Sequence, residues 1–308
     1  MRISTSWAQQ TAVNSMLDQQ SRLQQTQMQL STGKKILTPS DDPAAAARII
    51  DLNQSIKQAE QYQSNINTAR QRLTLEEGVL QNATDILQRV NELGVQGLNA
   101  TNSPSDRTAI AFEMEELNQQ LVGLANTKNA NGEYLFSGFK SATQPFSKNT
   151  VGGGYTYAGD AHQRPIQIGE TRQIADSDCG SNVFGIPTGP LPATVPAPGS
   201  ITNIFEAIDK FATDLRSNTP NSASLDDFSK SLDKILTVQS SVGTRLNVLD
   251  NQEELNTDFV LNMKTVLSTT EDLDYAEAIS RFNLQTVSLQ AAQQAFAQVK
   301  KLSLFNYF

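Results

Sequence analysis

Residues 41–98 read DDPAAAARIIDLNQSIKQAEQYQSNINTARQRLTLEEGVLQNATDILQRVNELGVQGL, and the architecture of the chain is written most clearly here. Asp42 supplies an acceptor at a helix N-cap, Pro43 fits the first helical position because its missing N–H would have no partner there anyway, and alanines follow. Apolar or small residues then recur at spacings of four and three: Ala45, Ile49, Leu52, Ile56, Ala59, Ile66, Leu73, Leu80, Leu87 and Leu98. This heptad stripe is interrupted by Gln63, Arg70, Glu77, Thr84, Asn91 and Gly94, which suits a bundle with several neighbours better than a leucine zipper. A helix from Pro43 to Asn99 would be roughly 85 Å long at about 1.5 Å per residue, so the sequence predicts a rod.

The same grammar extends on both sides. Ser103-Pro104-Ser105-Asp106 repeats the start signal, and the helix it opens carries Ile110, Met114, Leu117, Leu121 and Leu124 toward a turn at Asn131-Gly132. Between 133 and 199 the period changes to two, as in Tyr155-Thr156-Tyr157 and Ile166-Gln167-Ile168, with glycines at 152–154 and prolines within 187–198; this predicts a small β-rich insert projecting from one end. Asn203 with Glu206 reads as a capping box before Ile204, Phe205, Ile208, Phe211 and Leu215. Ser224 and Asp227 then open a second long stripe, from Leu225 and Phe228 through Leu249 to Leu267. Two long helices separated by an insert should pack against each other.

Both ends are amphipathic. Asp274 with Glu277 reads as a capping pair opening a stripe of Tyr275, Phe282, Leu289 and Phe296 at strict seven-residue intervals, widened by Val299 and Leu302, and Met16, Leu23 and Leu30 answer it near the start. Each stripe is short enough that an isolated helix would be marginal in water. An intramolecular bundle would supply the partner. The many glutamines, the few charges and the apolar end Leu302, Leu304, Phe305, Tyr307 and Phe308 favour a seam between subunits instead.

Composition excludes several classes. With 24 basic and 32 acidic residues the net charge is −8, opposite to the footprint of a nucleic-acid surface. No run of about 18 apolar residues suggests a membrane span, and Met1 to Gln10 lacks the apolar core of a secretory signal. Cys179 is the single cysteine, so packing rather than an internal disulfide must hold the chain.

Catalytic and ligand motifs fail on inspection. His162 and Cys179 have no local support as a nucleophilic pair. Thr32-Gly33-Lys34-Lys35 resembles the end of a phosphate loop, but Met28 and Lys35 stand where glycine and a hydroxyl residue are needed. Asp176-Ser177-Asp178 starts like a calcium loop, yet Gly180 occupies the third ligand position. The glycines at 152–154 lack the setting of a dinucleotide turn. No enzyme activity, cofactor, metal or catalytic residue is expected.

Leu30 to Ile49, LSTGKKILTPSDDPAAAARI, resembles the N-terminal signature of the bacterial flagellin superfamily, and Leu273 to Leu304 is similar to its closing helix. Met1 to Thr5, the SDDPAAA turn and NGEYLFSGFKS (131–141) resemble its hook–filament junction branch more closely than the flagellins proper. The resemblance implies a mainly α, elongated bundle with a small β-rich inserted domain and helical termini that form an intersubunit coiled-coil layer. It divides the chain into terminal assembly helices (1–32 and 275–308), a helical rod (33–132 and 200–274) and an outer insert (133–199). Met16, Leu23, Leu30, Tyr275, Phe282, Leu289, Phe296, Val299 and Leu302 would form the assembly interface, with Gly33, Asp41, Asp42 and Pro43 as turn and helix cap. The implied role is a structural protein of the bacterial flagellum, extracellular and exported without a cleaved signal peptide. Its implied partners are like subunits in a ring or layer, the first hook-associated protein on the hook side, flagellin on the other, and a flagellar export chaperone. A flagellin proper would share both signatures, and a cytosolic coiled-coil scaffold would explain the heptads alone.

Overall fold

The structure, a computed structural model, describes residues 2–149, 154–185 and 201–301. Among them are seven helices and four short strands: α1 (Arg2–Thr32), α2 (Pro43–Gly97), α3 (Pro104–Ala125), β1 (Phe146–Lys148), β2 (Tyr155–Tyr157), β3 (Pro165–Gln167), β4 (Gln173–Ala175), α4 (Gly180–Val183), α5 (Ile204–Arg216), α6 (Ala223–Glu271) and α7 (Tyr275–Lys301). The described residues form two compact units, one drawn from 1–59 with 258–308 and the other from Glu60–Thr257.

In the unit Glu60–Thr257 most of the α2 stripe is covered: Ile66, Leu73, Leu80 and Leu87 are all buried, as are Ala69, Ala83, Val90 and Leu93 one turn away on the same face, while Leu98 is half-buried. α6 lies alongside in the opposite direction. Gln63 Nε2 donates to Glu253 at 2.8 Å, Arg70 pairs with Asp250 at 2.8 Å, and Gln239 Nε2 donates to Gln81 at 2.9 Å, so rising numbers on α2 meet falling numbers on α6. The interruptions of the stripe have uses. Gln63 and Arg70 make those cross-helix bonds, and Gly94 lets Leu225 and Phe228 approach so closely that a Cβ there would meet Leu225 Cδ2 at 2.7 Å.

α3 starts with the full capping box of Ser103 and Asp106, with Pro104 at its first position. It ends at Ala125, before the predicted stop at Asn131-Gly132, because Asn126 leaves the helix to bind strand β1. Its Oδ1 accepts from Phe146 N and its Nδ2 donates to Phe146 O, both at 3.0 Å. At α5 only half of the expected capping box forms. Asn203 accepts from Glu206 N, but the Glu206 carboxylate takes Tyr155 N at 3.1 Å and Thr202 N at 3.0 Å instead, which ties β2 to the helix start. At α6 it is Asn221, not Ser224, that accepts from Ala223 N, and Ser224 is buried in the first turn.

β1 pairs antiparallel with β2, and β3 with β4, as two separate ribbons. The insert was expected to project from one end; its side chains instead share the helical core. Phe136, Phe146, Tyr155, Ile168, Ile174, Val183 and Phe184 belong to the same buried cluster as the α2 stripe and Phe205 of α5. Phe146 stands 4.9 Å from Phe205 and 5.7 Å from Phe184, ring centre to ring centre, both edge-on. Period-two alternation marked the strands, and Tyr155 and Tyr157 an aromatic face, but nothing local showed that Phe205 of α5 would cover it. The glycines at 152–153, the prolines within 187–198 and the end from Leu302 onward lie outside the described residues.

Candidate assembly surfaces

In the unit drawn from 1–59 with 258–308, the turn after α1 is built by backbone and carboxylates. Gly33 adopts φ +71°, a left-handed conformation that ends α1, and a Cβ there would sit 2.8 Å from the Tyr275 hydroxyl oxygen. Leu273 N donates to Gly33 O at 2.9 Å and Lys35 N to Glu271 O at 2.7 Å, so two backbone rungs join the end of α1 to the segment between α6 and α7. Lys34 adds an ion pair to Glu271. Asp41 gathers the next loop: Leu37 N and Thr38 N each donate to Oδ2 at 3.0 Å, and Gln25 Nε2 donates to Oδ1 at 3.0 Å. The Thr38 and Leu37 amides hold the Asp41 carboxyl below the usual carboxylate range. Asp42 caps α2, with Oδ1 accepting from Ala44 N at 3.1 Å and Ala45 N at 3.0 Å, and Pro43 follows at the first helical position. Asp274 does the same for α7 through Ala276 N and Glu277 N.

α1 packs against α7 within one chain. Since the end of α1 meets the start of α7, the two run in opposite directions. Met16, Leu23 and Leu30 on α1 and Phe282, Leu289 and Phe296 on α7 are all half-buried; Tyr275 is more open, and Leu302 and the Val299 side chain are outside the description. Each seam thus has one partner in its own chain and keeps apolar surface. A second set of apolar side chains is exposed: Leu17 and Met28 on α1, Ile279, Leu284 and Val287 on α7, with Leu284 68% and Val287 62% accessible. The seven-residue periodicity hid them. Leu17 and Met28 are eleven residues apart, three helical turns at about 3.67 residues per turn, which returns them to one face.

The other motifs singled out in the sequence make these contacts within the fold. Asp176 and Asp178 hold arginines, Asp176 with Arg164 and Arg72, and Asp178 with Arg245. His162 is exposed, sits against the Asp160 carboxylate through Nδ1 and stacks on Phe139 at 5.9 Å. Cys179 is buried. Gly33, Lys34 and Lys35 form the turn already described. No helix among the described residues is long and apolar enough to cross a membrane. The NGEYLFSGFKS stretch is a folded loop: Asn129 Oδ1 accepts from Asn131 N and Glu133 N, Leu135 and Phe136 enter the core, and Gly132 and Gly138 have positive φ.

Comparison with known proteins places this geometry. The profile for the bacterial flagellin N-terminal helical region matches residues 3–141, and that for the bacterial flagellin C-terminal helical region matches 225–308. The chain is 33% identical to flagellar hook-associated protein 3 of Escherichia coli (strain K12) and 30% identical to that of Salmonella typhimurium, each over 99% of both chains. The crystal structure of flagellar hook-associated protein 3 from Legionella pneumophila superimposes with a TM-score of 0.64 at 26% identity, covering 72% of this chain and 98% of that one.

Proposed function

The chain belongs to the bacterial flagellin family, and from that premise we propose that it is the structural subunit that joins the flagellar hook to the flagellin filament. The observation that carries this reading is the 33% identity to a hook-associated protein 3, because it extends over 99% of both chains and so includes the insert as well as the helical ends. The hook-side neighbour is then the first hook-associated protein and the distal neighbour is flagellin, with like subunits to either side. Before assembly the chain passes through the flagellum's own export channel, and an export chaperone would shield its apolar ends before it enters. A single cysteine, and hence no internal cross-link, is compatible with that route.

The division into terminal assembly helices 1–32 and 275–308, helical body 33–132 and 200–274, and insert 133–199 is part of the same proposal. The terminal helices enter the subunit layer as a pair. Their half-buried stripes close partly on each other, and the remaining surface, with the exposed Leu17, Met28, Ile279, Leu284 and Val287, meets the next subunit. Burying a large apolar side chain contributes about 1.5–3 kcal/mol, so a few such residues suffice to hold a layer.

A flagellin proper would polymerise alone. The purified protein is expected to stay unpolymerised until flagellin and the hook-side partner are added; spontaneous filaments of this chain would overturn the junction reading in favour of the filament one. Leu284→Ser with Val287→Ser tests the surface. Neither side chain is buried in the subunit, so the double variant should fold normally yet leave hooks bare and swimming lost. Phe282→Ala with Phe296→Ala should weaken assembly and loosen the α1–α7 pair together. Normal filaments in both variants would remove assembly from these helices.

A further inference from the structure

Seven charged side chains meet where the insert crosses α2 and α6. Glu76 is fully buried on α2, with Arg72 one turn before it; Asp176, Asp178, Arg164 and Glu133 come from the insert, and Arg245 comes from α6. The partners are specific. Arg72 bridges Glu133 at 2.7 Å and Asp176 at 3.3 Å, and Arg164 Nε donates to Asp176 Oδ2 at 3.0 Å. Arg245 pairs with Asp178 and donates to Ala175 O at 3.3 Å, and Gln163 Nε2 donates to the other Asp178 oxygen. Glu76 receives less: Oε1 accepts from Asp178 N at 3.2 Å, and the buried Oε2 has no hydrogen-bond partner. Four carboxyls thus face three guanidiniums; Asp176 and Asp178 are buried beside their arginines, and the acid left without one, Glu76, is buried as well.

We propose that Glu76 and Asp178 together form a proton-binding site, and that the single proton held there fastens the insert to α2 and α6. An ionised Glu76 would place a second negative charge beside Asp178 with only Arg245 to balance both, in a place where an uncompensated charge is costly. With the proton on Glu76, the cluster is neutral and Asp178 keeps Arg245 to itself. Burial first, and then the Asp178 charge, push the Glu76 carboxyl up to about 8, against the opposing pull of Arg245. The folded chain therefore binds this proton more tightly than the unfolded chain does. Its contribution to stability is complete below the ordinary range of a free glutamate, about 4.3, and is lost progressively as pH rises through about 8.

The test compares Glu76→Gln, which keeps shape and removes the titration, with the unaltered protein in urea unfolding followed by circular dichroism. One proton taken up on folding predicts that the ratio of their unfolding constants, unaltered over variant, grows about tenfold per pH unit between roughly pH 5 and pH 8 and is flat above. A ratio independent of pH overturns the proposal. Carbon-13 NMR of labelled glutamate carboxyls in the unaltered protein decides it without any variant: one carboxyl should titrate near 8, and completion of every glutamate titration below about pH 6 refutes the site. Asp178→Asn should move that late midpoint down; an unmoved midpoint removes Asp178 from the proton's hold.

Discussion

Replacing Phe146 by alanine measures how firmly the insert belongs to the helical core. The ring is 1% exposed and has three aromatic neighbours, Phe205 at 4.9 Å, Tyr157 at 5.1 Å and Phe184 at 5.7 Å. Gly180 lies under it so closely that a Cβ there would come within 2.7 Å of Phe146 Cε2. Truncating a buried phenylalanine costs about 3–5 kcal/mol, the spread reflecting how far the surroundings collapse into the gap. Collapse is restricted here because the two hydrogen bonds from the Asn126 side chain fix the backbone of residue 146 independently of its ring. A loss near the upper end, about 4–5 kcal/mol, is therefore expected. Urea unfolding by circular dichroism, with Phe146→Leu as a control that refills much of the space, gives the number. A loss under about 1 kcal/mol, the size of an ordinary surface change, would mean that the insert hangs free of the helices and that the shared aromatic core is wrong.

Asp42→Ala removes the acceptor of two amides at the start of α2 and should cost about 0.5–2 kcal/mol in thermal or urea unfolding; an unchanged midpoint would show that water replaces the cap without loss. Gly138→Ala combines φ +62° with a Cβ only 2.5 Å from Asp160 O, and should destabilise the 131–141 loop by about 1–3 kcal/mol, seen as faster amide exchange at Asp160 and Lys140, whose N–H groups bond Ser137 O. The Asp41 carboxyl is held down by the Leu37 and Thr38 amides, so protection of those two amides should be full above the ordinary aspartate range and disappear as pH falls through the lowered value. Asp41→Asn should abolish that acid dependence, and protection unaffected by acid in the unaltered protein would place the loop's stability elsewhere.

Helix starts were the most legible feature of the sequence, because capping is local chemistry: Asp42, Ser103 and Asp274 each accept from amides within three residues. The long stripes were legible for a similar reason, period 3.5 over many turns being hard to produce by chance. What escaped was long-range. Glu206 matched a capping pattern but its carboxylate is claimed by Tyr155 N, 51 residues away. Asp176-Ser177-Asp178 offered metal-like spacing, while the groups that claim those carboxylates, Arg72 and Arg245, lie on other elements. The pairing of α1 with α7 in one chain was equally invisible, since an amphipathic stripe states that a partner exists and not which molecule supplies it. Leu284 and Val287 break the heptad, so a reading tuned to that period passes over them although they are the most open large aliphatics on α7.

The two backbone rungs between Gly33 and Leu273 and between Lys35 and Glu271 connect points near opposite ends of the chain. Closing so long a loop from an open coil spends entropy that a pair of hydrogen bonds cannot return, although the cost grows only with the logarithm of length. Once the bonds of Arg70 to Asp250 and of Gln63 to Glu253 exist, the stretch still to be closed shortens to a few tens of residues on each side. Loop entropy alone thus predicts an order that pulse-labelled amide exchange during refolding would read: Glu60–Thr257 protected first, the rungs next, and α1 with α7 last. A chain that folds in this order has its body complete while its two ends are still the last parts to commit.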